Sequence, residues 1–305
     1  MFKKNTVAGI GEFGLINQVA KLLRARREIL KSVGDDTAVV DVRDGKSLLL
    51  TADMLAEGVH FKKNMGARAI GHKAMACNVS DIAAMGGTPL AAVVSIGVPP
   101  STPVDFIKNI YRGMENVARQ FNFSIVGGDT IKSRRLVINV ALLGEAAKEK
   151  VVYRSGAQEG DMIFITGALG RSLPSGRHLS FTPRLREAQY LVKNFKLSAM
   201  IDISDGLAGD LGHILEESKV GAVIYEKLIP KAARATTSNA LYDGEDFELL
   251  FTLPTGEAKK LLADKKNKFK FHFIGQIVPQ GEKLTLLDRK NRRIALSAKG
   301  FDHFR

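Results

Sequence analysis

Residues 199–215 read Ala-Met-Ile-Asp-Ile-Ser-Asp-Gly-Leu-Ala-Gly-Asp-Leu-Gly-His-Ile-Leu, an apolar strand that breaks at Ser204-Asp205-Gly206 and continues as an amphipathic helix. Asp202 interrupts the strand, and Asp205 falls where the helix begins. Aspartate is depleted in strands and costly to bury without a partner, so its placement here calls for a chemical reason. The pattern recurs along the chain. Asp35 and Asp36 follow Gly34, Asp53 ends a strand of Leu and Thr, and Asp129 follows Gly127-Gly128. Asp81 lies inside a helical stretch on the face of Ala74 and Cys77, and Glu245-Asp246 follow Asp243-Gly244.

Each carboxylate alone has an ordinary explanation: a turn residue after glycine, a helix N-cap, or an ion pair such as Asp81 with Lys73. Their recurrence changes the reading. Carboxylates at strand ends, beside glycines that let the backbone approach, suit hard divalent cations with oxygen ligands. Gathered in one place they repel one another unless cations neutralise them. Six histidines and one cysteine, without close spacing of soft ligands, disfavour zinc and leave Mg²⁺ as the expected metal. No Gly-x-x-x-x-Gly-Lys-Ser/Thr loop and no protein-kinase signature is present, so metals would carry the electrostatic role that a phosphate-binding loop has elsewhere.

These residues need elements to hold them. A helical pattern covers residues 15–31, with Ile16, Val19, Ala20, Leu23 and Leu30 on its apolar face. The glycine pattern at residues 9–14 matches a dinucleotide-binding fingerprint literally, but no apolar strand precedes it and no acid-ended strand follows, so it reads as a turn. Strands are expected over 37–42 and 48–52 as a hairpin around Asp44-Gly45, then over 91–98, 124–126 and 136–144. Helices are expected over 67–85, stopping at Gly86-Gly87, and over 103–121. The second half offers a strand over 162–166, a loop over 170–183, a helix over 184–194, the stretch already described, and a strand over 249–253. The mixture predicts an α+β protein of two domains, residues 1–150 and 151–305.

At this level of detail the chain resembles the thiamine-monophosphate kinases. The resemblance rests on Gly34-Asp35-Asp36, Thr51-Ala52-Asp53 with His60-Phe61, and Asn78-Val79-Ser80-Asp81-Ile82-Ala83-Ala84-Met85-Gly86. It continues through Gly127-Gly128-Asp129-Thr130, Arg154-Ser155-Gly156, Asp202-Ile203-Ser204-Asp205-Gly206, Gly244-Glu245-Asp246 and Gly300-Phe301-Asp302-His303-Phe304. Several of these stretches are shared with the wider superfamily that includes aminoimidazole ribonucleotide synthetase. The His-Phe after the second stretch and the Gly-Phe-Asp-His-Phe ending point to the thiamine branch.

The resemblance implies an N-terminal α/β domain contributing strands to a homodimer barrel, a C-terminal α/β domain, and ATP bound between them on several Mg²⁺ ions. It implies phosphoryl transfer from ATP to thiamine monophosphate. By motif position, Asp36, Thr51, Asp53, Asp81, Asp129, Asp202 and Asp205 would hold metal. Gly128, Asp129, Arg154 and Ser204 would contact ATP, and His60, Glu245 and Phe301 would line the substrate site. A phosphate monoester has its second pKa around 6, so the acceptor is ionised near neutrality and no general base is nominated. Two departures stand out: Ala52 replaces a second hydroxyl, and the segment 167–198 is short, with Gly170-Arg171-Ser172 in place of Gly-Asp-Ser. The alternatives are another ATP-dependent enzyme of the superfamily, aminoimidazole ribonucleotide synthetase-like, and a non-catalytic nucleotide-binding regulator, which loss of metal carboxylates would favour.

Composition agrees with a soluble enzyme. The 305 residues are 45% apolar and 25% charged, with no apolar run of membrane-spanning length. The opening Met-Phe-Lys-Lys-Asn leads into Gly and Glu rather than an apolar core, which predicts no signal peptide, and a single cysteine fits a reducing cytoplasm. The net charge of +13 comes from clusters scattered along the chain without stacking aromatics, so specific nucleic-acid binding is not expected.

Overall fold

The structure is a computed structural model that describes residues 6–42, 44–298, 300, 301 and 304. In chain order, α1 (Val7–Ala20) leads to β1 (Ile29–Lys31), β2 (Ala38–Asp41), β3 (Lys46–Ala56), α2 (Ala67–Ala84), β4 (Thr88–Val98), α3 (Val104–Phe121), β5 (Ser124–Lys132) and β6 (Val137–Ala147). These strands form one sheet in the order β1-β2-β3-β6-β4-β5, antiparallel throughout except for the parallel β4–β5 edge. Period-two alternation gives this sheet two unlike faces. Leu49, Thr51 and Leu55 of β3 turn to the covered face with Val94 and Val140, whereas Leu50, Met54 and Val93 are exposed on the other.

The second sheet is assembled from β7 (Met162–Ile165), β8 (Ala199–Asp202), β9 (Gly221–Tyr225), β10 (Leu249–Leu253), β11 (His272–Val278), β12 (Leu284–Leu287) and β13 (Arg293–Ala295), in the order β13-β12-β9-β11-β7-β10-β8. Its helices are α4 (Ser172–Ser175), α5 (Leu185–Asn194), α6 (Leu207–Ser218), α7 (Thr237–Tyr242) and α8 (Thr255–Ala263). The molecule is thus two α/β units with mixed sheets.

α2 joins the two. It packs on β3 and β6 of the first sheet and on α5 and β8 of the second. One hydrophobic cluster runs from Leu49 and Val140 through Ile82 and Met85 to Phe164, Met200 and Phe251. A helix apolar around most of its circumference belongs in such a buried position. The polar residues it carries, Lys73, Asn78, Ser80 and Asp81, are therefore delivered to the seam between the sheets.

Most expected elements form within a few residues of their predicted ends, and the 38–50 hairpin pairs Ala38 with Leu50 and Asp41 with Ser47. Three differ. The helix expected over 15–31 is instead α1, ending at Ala20, and Ile29–Lys31 is a strand paired with β2. The reason is burial: Ile16, Val19 and Leu23 remain 37%, 44% and 59% exposed, so the apolar stripe has no core to hold it as a longer helix. The loop over 170–183 contains α4 and a 3₁₀ turn at Arg177–Leu179. The strand expected over 124–126 runs on to Lys132, because the parallel ladder with β4 continues from Val94–Gly128 to Val98–Lys132. Gly128 permits this: its φ is +155°, and a Cβ there would lie 1.8 Å from the Val94 carbonyl oxygen.

Candidate active site

The covered face of β3 presents Thr51 and half-buried Asp53, and α2 crosses above them. The Thr51 hydroxyl donates to Asp81 Oδ2 at 2.5 Å, and the Asp53 amide donates to Asn78 Oδ1 at 3.2 Å. From the second sheet, Asp202 at the end of β8 accepts from the Ser80 hydroxyl at 2.6 Å. The turn before β2 adds Asp36, whose Oδ1 accepts from the Arg154 guanidinium at 2.7 Å. Carboxylate oxygens of Asp36, Asp81 and Asp202, remote in sequence, lie within 4.8 Å of one another.

Such crowding raises the cost of ionisation. Burial, with the Asp36 charge second, pushes the Asp202 carboxyl up to about 8. Burial, then Glu245 and Asp36, pushes Asp53 up to about 6, and burial with Asp53 and Asp202 holds Asp81 well above the carboxylate range. Burial opposes the Arg154 charge, but Asp36, Asp35 and Asp202 outweigh it and keep the guanidinium protonated. Asp36 Oδ2 is buried and has no hydrogen-bond partner among the described residues. An all-oxygen donor set, carboxyls crowded so that a cation would favour their ionisation, and an orphaned carboxylate oxygen fit Mg²⁺ better than zinc, which favours nitrogen and sulfur donors.

Next to the cluster a cavity of about 730 Å³ brings Asp53, Asp81, Asp202, Ser204 and Asp205 together with His60, Glu245 and Phe301. Ser204 and Asp205 occupy the turn ahead of α6, whose N-terminus favours an anion. The Phe301 amide donates to the Asp205 carbonyl at 3.3 Å, which ties the chain's closing stretch to the site. Asp302 and His303 of that stretch lie outside the described residues.

Gly128 and Asp129 are not with the others. The sheet registers place Met54, Asn139, Ser95 and Asp129 in one row, and Asp53, Val140, Val94 and Gly128 in the next. Asp129 therefore shares the exposed face with Met54, three strands and roughly 14 Å from β3. Between α3 and the β4–β5 edge a second cavity of about 760 Å³ is lined by Val98, Tyr111, Thr130 and Ile131. Ala52, the departure in the second motif, is also on the exposed face, so its side chain is turned away from the carboxylates.

Some residues were missed at the level of sequence. Ser80 and Asn78 are buried hydrogen-bond partners of the acidic set, and they gave no signal beyond membership of a motif. Lys73, an expected partner for Asp81, instead pairs with Glu245 at 2.5 Å. Asp210 and His213 of α6 place ligand atoms within 4.8 Å of Asp205, and Asp210 accepts from the Asp205 amide at 3.0 Å. The segment 170–183 is held by Arg177, which pairs with Asp246, and by Phe181, which stacks on Phe247 with ring centroids 4.2 Å apart.

Comparison with known proteins defines the class. Residues 34–146 match the family model for the AIR synthase related protein N-terminal domain, and residues 143–286 match the corresponding C-terminal domain. The chain is an AIR synthase related protein in both halves. Within that class it belongs to the thiamine-monophosphate kinase family. The thiamine-monophosphate kinase of Buchnera aphidicola (subsp. Schizaphis graminum) is 33% identical over 96% of this chain and 98% of its own. That of Aquifex aeolicus is 35% identical over 80% and 86%. The solved structure of AaThiL complexed with AMPPCP and TMP is similar with a TM-score of 0.84 at 32% identity, covering 99% of both chains.

Proposed function

We propose that this chain transfers the terminal phosphoryl group of ATP to the phosphate of thiamine monophosphate, giving thiamine diphosphate and ADP. The observation that carries the reading is the cavity in which the clustered carboxylates meet His60, Glu245 and Phe301. The AaThiL structure, which holds AMPPCP and TMP, supports it.

Both reacting groups are anionic phosphates, so the main obstacle is charge repulsion. Mg²⁺, when bound, supplies positive charge that offsets the phosphates and helps align them in line. Asp36, Thr51, Asp53, Asp81, Asp202 and Asp205 would hold the ions. Thr51 and Ser80 orient Asp81 and Asp202 by donating to one oxygen of each. Arg154 balances Asp36 and adds a fixed positive charge, and Ser204 meets the ATP phosphates at the start of α6. Phe301 stacks on a flat ring of the acceptor and Glu245 meets its cationic one. No side chain serves as a general base, because the acceptor phosphate is already ionised.

Gly128 and Asp129 enter this scheme from a second copy. Residues 1–150 form the metal-binding and dimerisation domain and 151–305 the domain that completes the site, with ATP at their junction. Exposed Leu50, Met54 and Val93 give the first sheet an apolar outer face suited to a homodimer barrel. The cavity between α3 and the β4–β5 edge, with Tyr111 and Ile131, is of a size for the nucleoside. Among the described residues no helix is long and apolar enough to cross a membrane, and the lone Cys77 is buried. We place the enzyme in the cytoplasm. Purified protein with ATP, Mg²⁺ and thiamine monophosphate is expected to accumulate thiamine diphosphate, separated by chromatography; no product across a range of Mg²⁺ concentrations rejects the reading.

A further inference from the structure

Lys73 is 1% exposed, although lysine is almost never fully buried without a partner. It lies one turn before Cys77 and two turns before Asp81, so all three line one face of α2 and the same cavity. Its Nζ is 2.5 Å from Glu245 Oε2 and donates to the His60 carbonyl oxygen at 3.3 Å. One buried ammonium thus touches both the histidine segment of the first unit and the glutamate of the second.

We propose that Lys73 is a positioning and specificity residue of the acceptor subsite, fixing Glu245 and cancelling its charge so that an acceptor bearing both a cationic ring and a phosphate is admitted. The inference rests on the functional reading above. Glu245 lines the cavity together with Asp53, Asp81, Asp202 and Asp205, the carboxyls that would hold Mg²⁺. An unpaired Glu245 would stand there as an uncompensated negative charge and repel an incoming phosphate, most strongly where water is excluded. Paired with Lys73, the carboxylate is held in one place and still offers its acceptor oxygens to a cationic ring, while the pair adds no net charge to the cavity. The ammonium also fixes the main chain at His60, so the two walls of the subsite are set by one side chain.

The test compares two ligands that differ in the phosphate. Thiamine monophosphate is read by its KM and thiamine, which is net cationic, by its Ki as a competitor, in wild type, Lys73→Met and Lys73→Arg, with Tm recorded for each. For Lys73→Met the KM for thiamine monophosphate is expected to rise about tenfold or more, while the thiamine Ki and the KM for ATP change less than about threefold. Lys73→Arg is expected to keep the wild-type ratio. The Lys73→Met/Glu245→Gln variant returns the cavity to its original net charge, so it is expected to recover the ratio, and it serves where Lys73→Met alone does not fold. Equal loss for both ligands, an unchanged KM for thiamine monophosphate, or a double variant with a ratio unlike that of the wild type overturns the inference. Absence of wild-type turnover overturns the functional reading, and this inference with it; turnover with any of the former patterns overturns this inference alone.

Discussion

Asp53 and Asp129 sit on opposite faces of one sheet, three strands apart and one row out of step. Both belong to acidic stretches that the family resemblance assigns to metal, yet one chain cannot bring them to a common ion. In the proposed homodimer, a second copy packed on the outer face of the sheet would supply Asp129. Val93 is 42% exposed at the centre of that face, level with Ala141 and Gly127. Val93→Asp is expected to leave the monomer folded, because the position is solvent-facing in one chain, and to separate the copies. Sedimentation should then show half the wild-type mass, and turnover should fall at least tenfold, in line with the loss of a metal contact. A monomeric wild type, or a monomeric variant with normal turnover, contradicts the shared site.

Ser80 and Asp202 make the hydrogen bond that joins α2 to the second sheet. The Asp202 carboxylate is 3% exposed, so removing its donor leaves a buried acceptor less satisfied. Ser80→Ala is expected to cost roughly 1–3 kcal/mol of stability in metal-free protein, read by denaturant unfolding. The loss should shrink in saturating Mg²⁺, where Asp202 has a cation to meet. Equal losses with and without Mg²⁺ would separate Asp202 from the metal.

Asp246 gives a pH signature away from the carboxylate cluster. It is 2% exposed, accepts from the Gly170 amide at 2.8 Å and pairs with Arg177. Burial, only partly offset by those partners, pushes its carboxyl up to about 6. A folded-state value above the unfolded one means that the stability linked to its proton is fully present below the unfolded value and is lost as pH rises through about 6. The unfolding free energy of wild type minus that of Asp246→Asn is therefore expected to fall by as much as about 3 kcal/mol between pH 4 and pH 7. A difference that stays flat or rises over that range contradicts the assignment.

Much of the site was legible from local sequence, because its signal is local. An aspartate that breaks an apolar strand, or follows a glycine turn, marks Asp36, Asp53, Asp202 and Asp205 without knowledge of the fold. What the local pattern could not show was long-range pairing. Lys73 and Glu245 are brought together only when α2 is inserted between the sheets, and nothing near Lys73 announces an ion pair so far along the chain. The face on which Asp129 lies depends on the irregularity between Ala92 and Val93, which shifts the β5 register and sends the strand through the double glycine. The helix expected over 15–31 failed for a related reason: its apolar period is real, but no core meets its C-terminal half.

Direct transfer between the two phosphates is the central claim, and isotope tracing tests it most directly. ATP labelled in its γ-phosphoryl group is incubated with the protein, Mg²⁺ and thiamine monophosphate, with aminoimidazole-pathway acceptors in competition. The account predicts that the label appears in the terminal phosphate of thiamine diphosphate, in step with ADP formation and with little release as orthophosphate. Label recovered chiefly as orthophosphate, or in another acceptor, contradicts it.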